Sequence, residues 1–451
     1  MMFRKETEFQ ETEIGEFPKE WKVRRLNEIA ELQRGLSYSG REKSKDEIPD
    51  GYLFLTLNSI KEGGGLKEDG WTWIKSDRLK ERHFVKEGDI VIANTDIGMQ
   101  RGHILGAPAI VHFPKWYKKD KAVFSMDLSK LLLRISNMDV NFLFYYLSFA
   151  QPLARKYYTG TNVWHLNLDS WARDLLIPLP PLEEQKMIAN ILSMIDSGIE
   201  TVDRAIAKLE GMKRTLLNGL LTGRIRVREE NGKLTFYKET KFQGTEIGEI
   251  PKDWKIEMLG HLINYVKGKK PKKLYDQRIN ENNLPYLTAE YMRGLEAPKW
   301  CNPEEDPNII KVNSDDVIMI WDGSYAGHVF TGFNGALAST MIKIVPKYNN
   351  LDKKFMYYYL TISFQRLRGT TIGTGVPHIN KKIFEELYIP LPSSVEEQTA
   401  IAEILSTVDK AIELYRREKE RLLRLRRGLM GVLLTGRVRV VSDVRDVGVV
   451  V

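Results

Sequence analysis

The 451-residue sequence predicts an α+β protein in which one plan, a strand-rich globular domain followed by a long helix, is written twice. Three observations predict it. LLTGRIRV, beginning at Leu220, returns 213 residues later as LLTGRVRV, beginning at Leu433. TEIGEFPKEW at 12–21 returns as TEIGEIPKDW at 245–254. Each closing LLTGR segment also ends a long stretch whose apolar residues step mostly by three or four.

Between these fixed points the two copies diverge. From Trp21 to Pro180 the first copy carries short β-branched and aromatic runs, YLFLTL, DIVIAN and AIVHF, punctuated by Gly, Asn, Asp and Pro. From Trp254 to Pro392 the second has DVIMIW and TMIKIV. NFLFYYLSFAQPLARKYY and KKFMYYYLTISFQRLRG have the spacing of amphipathic helices packed on those strands. GTNVWHLN (160–167) faces GTGVPHIN (373–380) across the repeat.

The helices start after IPLP. IPLPPLEEQKMIANILSMID from Ile177 faces IPLPSSVEEQTAIAEILSTVD from Ile389. Proline marks the boundary, and the carboxylates Glu183, Glu184, Glu396 and Glu397 suit a helix N-terminus. Apolar stripes follow through Ile188, Ile195, Val202, Leu209 and Leu220, and through Ile401, Val408, Tyr415, Leu425 and Val432. Gly223 and Gly436 are expected at the C′ positions. About 39 helical residues span roughly 58 Å. Stripes of that length leave much apolar surface wet unless the helices pair, and antiparallel pairing about a pseudo-twofold axis is the simplest closure. The alternative is two independent helices, each packed on its own domain.

Composition narrows the function. Hydrophobic content of 42% and charged content of 28% are those of a soluble globular chain, and its length predicts about two to four domains. MMFRKETEFQETE carries no apolar core of a secretory signal, and no run approaches the ~18 apolar residues of a membrane span, so a cytoplasmic protein is expected. The single cysteine, Cys301, excludes an internal disulfide framework and multi-cysteine zinc sites. Phosphate-loop, dinucleotide, H-E-x-x-H and G-x-S-x-G patterns are absent, and the seven histidines never fall at metal-ligand spacing. These absences point away from an enzyme.

The net charge of +8 gains meaning from clustering. Lys410–Arg439 holds ten Lys/Arg against three Glu, and YVKGKKPKKLYDQR (265–278) is a second basic run. IANTDIGMQRGH (92–103) and IWDGSYAGHVFTG (320–332) follow strand-like runs and set Asn, Gln, Arg, Ser and Tyr among glycines, groups able to meet base edges. The shared G-T-x-V-x-H-[LI]-N is a second candidate, through backbone N–H and hydroxyl groups on phosphate. His165 and His378 fit packing as well as contact, and Trp164 and Trp321 fit a core as well as a stacking platform.

The doubled EIG-x-[IF]-P-x-x-W opening, the doubled [IL]PLP…EEQ helix start and the doubled LLTGR[IV]RV close together resemble the specificity (S) subunit of type I restriction–modification enzymes. The resemblance covers nearly the whole chain. It implies target recognition domains at 1–181 and 245–392, each reading one half of a split DNA site. Spacer helices at 182–227 and 393–436 would form an antiparallel coiled coil, with a linker at 228–244 and a tail at 437–451 expected to fray. It further implies no catalysis by this chain, and as partners double-stranded DNA, two methyltransferase subunits and, through them, restriction subunits. S-adenosylmethionine, ATP and Mg would then belong to those partners. Carried over by position, the DNA-reading candidates are Asn94, Thr95, Gln100, Arg101, Thr161 and Asn162 in copy one, and Ser324, Tyr325, Thr374 and Gly375 in copy two. Lys269 and Lys270 stand with them as phosphate contacts, with a merely solvated basic loop as the alternative. Competing readings are an enzyme with an atypical site and a coiled-coil scaffold whose domains bind protein.

Overall fold

The computed structural model describes residues 2–13, 15–97, 103–230, 232–368 and 377–441. The chain divides into two compact units, Met1–Val202 with Glu418–Val451, and Asp203–Arg417. Each unit therefore takes the start of one long helix and the end of the other.

In the first unit the strand Lys22–Arg25 pairs antiparallel with Leu176–Leu179, so the chain enters and leaves the globular domain through one two-stranded neck. Inside, a four-stranded antiparallel sheet runs in the order Pro108–Ile110, Ile90–Ala93, Leu128–Leu133, Ala30–Arg34. A mixed five-stranded sheet includes Tyr52–Leu55 parallel to Lys121–Phe124. The uninterrupted apolar run Ile90–Ala93 reflects burial on both faces. Ile90 and Ile92 enter one core with Trp21, Phe142 and Trp171, while Val91 and Ala93 enter another with Leu53, Leu55 and Phe124. The helix expected over NFLFYYLSFAQPLARKYY is α-helical only from Val140 to Ala150. Asp139 caps it by accepting from the Phe142 N–H at 2.9 Å. A 3₁₀ segment with Pro152 in its first turn, Gln151–Tyr157, replaces the rest.

The first long helix, Leu182–Leu221, begins in this unit, with Ile188, Ala189 and Leu192 buried in the Trp21 core. The last turns of the second, Val395–Leu433, return beside it, so that Asp196 meets Arg426 at 2.6 Å and Met430 and Leu433 join the same core. Pairing is antiparallel, since Glu184, nearer the start of the first helix, meets Arg439, beyond the end of the second. Leu425, expected on the apolar stripe, is exposed. The fraying tail expected from 437 is instead a strand at Val438–Val441, paired antiparallel with Met2–Lys5. Arg439 and Val440, on opposite faces of this strand, are both buried, which local composition does not signal. Residues 442–451 lie outside the described residues.

The second unit repeats the plan on its own residues. Lys255–Met258 pairs with Tyr388–Leu391 as the neck. One sheet runs Ile263–Lys267, Met341–Pro346, Val317–Ile320, Val329–Phe330, and the strand Val317–Ile320 again feeds two cores. Lys353–Arg368 forms the expected packed helix. Lys213 meets Asp409 at 2.6 Å and Glu210 meets Arg416 at 2.8 Å, antiparallel within this unit too. Tyr415 is exposed. The helix expected to reach 227 ends at Leu221, and Gly223 takes φ +69° as the C′ residue. Ile225–Glu230 then pairs with Lys233–Lys238, so the expected linker is mostly a two-stranded ribbon.

The doubled motifs explain one another at these junctions. In the first unit Gly436, also at φ +69°, lies against the Pro18 ring and Trp21. Arg439 is 3% exposed and donates to Glu184 at 2.8 Å and Glu6 at 2.7 Å. In the second, Gly223 lies against Pro251 and Trp254, and Arg226 donates to Glu397 at 2.6 Å, Asp253 at 2.8 Å and Glu239 at 2.8 Å. The buried glutamines of the EEQ motifs tie the helix starts to the domains: the Asp139 N–H donates to Gln185 at 2.8 Å, and the Asp352 N–H to Gln398 at 2.9 Å. Among the described residues no helix is long and apolar enough to cross a membrane.

Candidate nucleic-acid interface

The two loop motifs of each copy, separate in sequence, are brought together by backbone pairing. In the first unit Thr95 and Asp96 pair with His165 and Trp164, and the same strand, Trp164–Leu166, forms a hairpin with Tyr158–Thr159. At its tip Thr161 and Asn162 are exposed. Trp164 is half-buried and stacks on Tyr158 at 4.0 Å between centroids, with Tyr158 open to solvent. A two-stranded ribbon of this kind fits a DNA major groove, and hydroxyl and amide groups at its tip can meet base edges.

Asn94 and Thr95 are placed differently. Both are buried. The Asn94 amide donates to the Met126 carbonyl at 3.1 Å and to Ser129 Oγ at 2.9 Å. Thr95 Oγ1 donates to Asn94 Oδ1 at 3.0 Å and lies 3.2 Å from His165 Nδ1. These groups hold the loop base to the hairpin. Gln100 and Arg101 lie outside the described residues.

In the second unit the equivalent pairing joins Asp322 to His378. The Gly323 N–H donates to the Pro377 carbonyl at 2.7 Å and the Ile379 N–H to the Trp321 carbonyl at 3.0 Å. Ser324 is exposed, and Tyr325, partly exposed, lies under the Arg293 guanidinium at 3.5 Å from its ring centre. Lys269 and Lys270 are exposed just after the strand Ile263–Lys267. Thr374 and Gly375 lie outside the described residues. Trp321 is half-buried and stacks on Tyr265 at 5.6 Å. Burial first, and then the Glu385 carboxylate accepting at 3.0 Å, push the Tyr265 hydroxyl above its ordinary value. Lys381 and Lys382 flank this surface. Sequence reasoning missed them, although the second copy writes INKK where the first writes LNLD.

Cys301 is buried at the strand Trp300–Cys301, and burial pushes its thiol up to about 11, which suits packing rather than reactivity. Among the described residues no cluster of three or more His, Cys, Asp or Glu could hold a metal ion.

Residues 18–211 and 251–424 match the family described as Type I restriction modification DNA specificity domain. Across 452 aligned residues, 98% of this chain and 99% of the relative, the sequence is 30% identical to the putative type I restriction enzyme MjaX specificity subunit of Methanocaldococcus jannaschii. It is 40% identical over 202 residues to the type I restriction enzyme MjaVIII specificity subunit of the same organism, a match spanning 45% of this chain and 47% of that one. The crystal structure of a type I restriction–modification S subunit from M. genitalium shares the fold, with a TM-score of 0.59 at 18% identity over 92% of this chain and 96% of that one.

Proposed function

The chain belongs to the type I restriction–modification DNA specificity family, and from that membership we propose that it is the sequence-reading, non-catalytic subunit of a methyltransferase–endonuclease complex. Each globular domain reads one half of a bipartite asymmetric DNA site. The long helices set the gap between the halves and dock two methyltransferase subunits, through which restriction subunits join. S-adenosylmethionine, ATP and Mg bind those partners, and the target adenine is turned out of the duplex into a methyltransferase pocket.

One observation carries the reading: like frames present unlike loop faces. The junctions built by Arg439 and Arg226 use the same motifs in the same roles. The segment after the central strand, by contrast, reads NTDIGMQRGH from Asn94 in one unit and WDGSYAGHVF from Trp321 in the other. Base-reading side chains must differ between half-sites while the frame that holds them need not.

The test is methylation-sensitive long-read sequencing of a host carrying this gene and its methyltransferase gene, against the same host lacking only this gene. Methyl-adenine in one split asymmetric motif, present only with this gene, is the expected result. With the protein soluble and expressed, binding of its methyltransferase complex to DNA without any sequence preference would favour a protein-binding scaffold instead.

A further inference from the structure

The second unit contains a cavity of about 740 Å³ bounded by the two paired loop segments, with Tyr265, Lys267, Trp321, His378, Lys381 and Lys382 among its lining. One wall is a fixed aromatic plane. Trp321 lies at 22° to Tyr265, and Phe384 stands edge-on to both, at 5.4 Å from Trp321 and 5.9 Å from Tyr265. Three ammonium groups border that wall. Lys267 pairs with Asp322 at 2.8 Å, Lys381 with Glu385 at 3.7 Å and Lys382 with Glu386 at 3.8 Å. All three lysines are more than half exposed, so these pairs are weak and the ammonium groups can exchange carboxylate for phosphate. The volume falls within the range of small-ligand pockets.

An aromatic plane beside several cations is complementary to a nucleotide, which offers a π-face or sugar to the ring and phosphate to the amines. At the positions aligned with Tyr265, Lys267, Trp321, Lys381 and Lys382 the first unit has Leu32, Arg34, Asn94, Leu168 and Asp169, so it lacks this stacked pair and two of the three cations, and its own stacked pair, Tyr158 and Trp164, lies on the hairpin. The feature therefore belongs to one half of the molecule.

We propose that this cavity seats one nucleotide unit of the bound DNA strand, its nucleoside against the Trp321 ring and its flanking phosphates on Lys267, Lys381 and Lys382. The proposal rests on the reading of the chain as a DNA specificity subunit, and it makes Trp321 a specificity-determining residue for the half-site read by residues 245–392.

The experiment uses the methyltransferase complex assembled on the full chain and a duplex carrying the split motif found by sequencing, titrated across a salt series. K381Q/K382Q is expected to weaken binding about tenfold and to make the logarithmic salt slope shallower by about two. Trp321→Ala is expected to weaken binding about tenfold or more and to relax base preference in one half-site only. Wild-type affinity, slope and motif in both variants, each folded by circular dichroism, would overturn the proposal while leaving the specificity-subunit reading intact. A wild-type complex that binds every duplex equally would sink the broader reading and this one with it. Tight binding of free dAMP in place of any effect on duplex affinity would reassign the cavity to a soluble nucleotide and overturn the DNA assignment.

Discussion

Replacing Arg439 by alanine tests the junction that the repeated motifs build. The guanidinium has 3% of its side-chain surface exposed, against 7% for Glu6 and 4% for Glu184. Glu20, its third partner at 3.1 Å, is 68% exposed and adds little. Removing the arginine leaves the buried Glu184 carboxylate without it and Glu6 with Arg4 at 3.6 Å, and breaking a buried pair from one side costs about 3–5 kcal/mol. For a unit of this size each kcal/mol shifts the melting temperature by about 2–4 °C, so a drop of about 6–20 °C is expected. Arg439→Met combined with Glu184→Met should lose less than Arg439→Met alone, because the Glu184 charge goes with its partner and only Glu6, which keeps Arg4 at 3.6 Å, loses the arginine. Calorimetry of the purified full chain, with hydrogen exchange over residues 182–192 as the local readout, measures both. A loss below about 1 kcal/mol, or a double variant whose cost is the sum of the two singles, would refute the reasoning. Arg226→Ala should behave alike in the second unit, where Glu397 is the most buried partner.

Acid should weaken both junctions. Burial raises the Glu6 carboxyl, but the Glu8 and Thr7 N–H groups and Arg439 hold it below its usual 4.5. The Lys241 and Thr240 N–H groups and Arg226 lower Glu239, and Arg226 lowers Asp253. With folded values depressed, their contribution is complete above the ordinary carboxylate range and is lost as pH falls through it; a melting temperature flat from pH 6 down to 3 would contradict this. Gly436→Ala and Gly223→Ala should each destabilise by about 1–3 kcal/mol, since both glycines sit at φ +69° and an added Cβ would overlap Pro18 or Pro251; denaturant unfolding with unchanged midpoints would count against the packing described. Inserting four residues into each long helix lengthens it by about 6 Å. That should change the permitted gap in the methylated motif while leaving both half-sites unaltered, and an unchanged gap would show that the helices do not set it.

Much of the frame is legible because its signals are local. The 3.6-residue stripe, the prolines before Leu182 and Val395 and the C′ glycines mark the long helices to within a few residues. Uninterrupted runs such as DIVIAN and DVIMIW mark central strands, since a strand buried on both faces loses the alternation that edge strands show. The interface was less legible. Thr161 and Asn162 are exposed and Asn94 and Thr95 are buried, yet all four are small polar residues beside strand-like runs. Only the ladder between Thr95 and His165 decides which of them face inward.

By itself the sequence determined that one domain-plus-helix plan occurs twice and that the two middles differ, because repetition and periodicity are properties of neighbouring residues. The tertiary structure alone decided how each unit closes. Met2–Lys5 pairs with Val438–Val441, and Arg439 reaches Glu6 across 433 positions of chain. Such a contact leaves no periodic trace in either segment. What selects it is a cost felt only after folding: a buried guanidinium and buried carboxylates must find one another or stay uncompensated in a water-poor core.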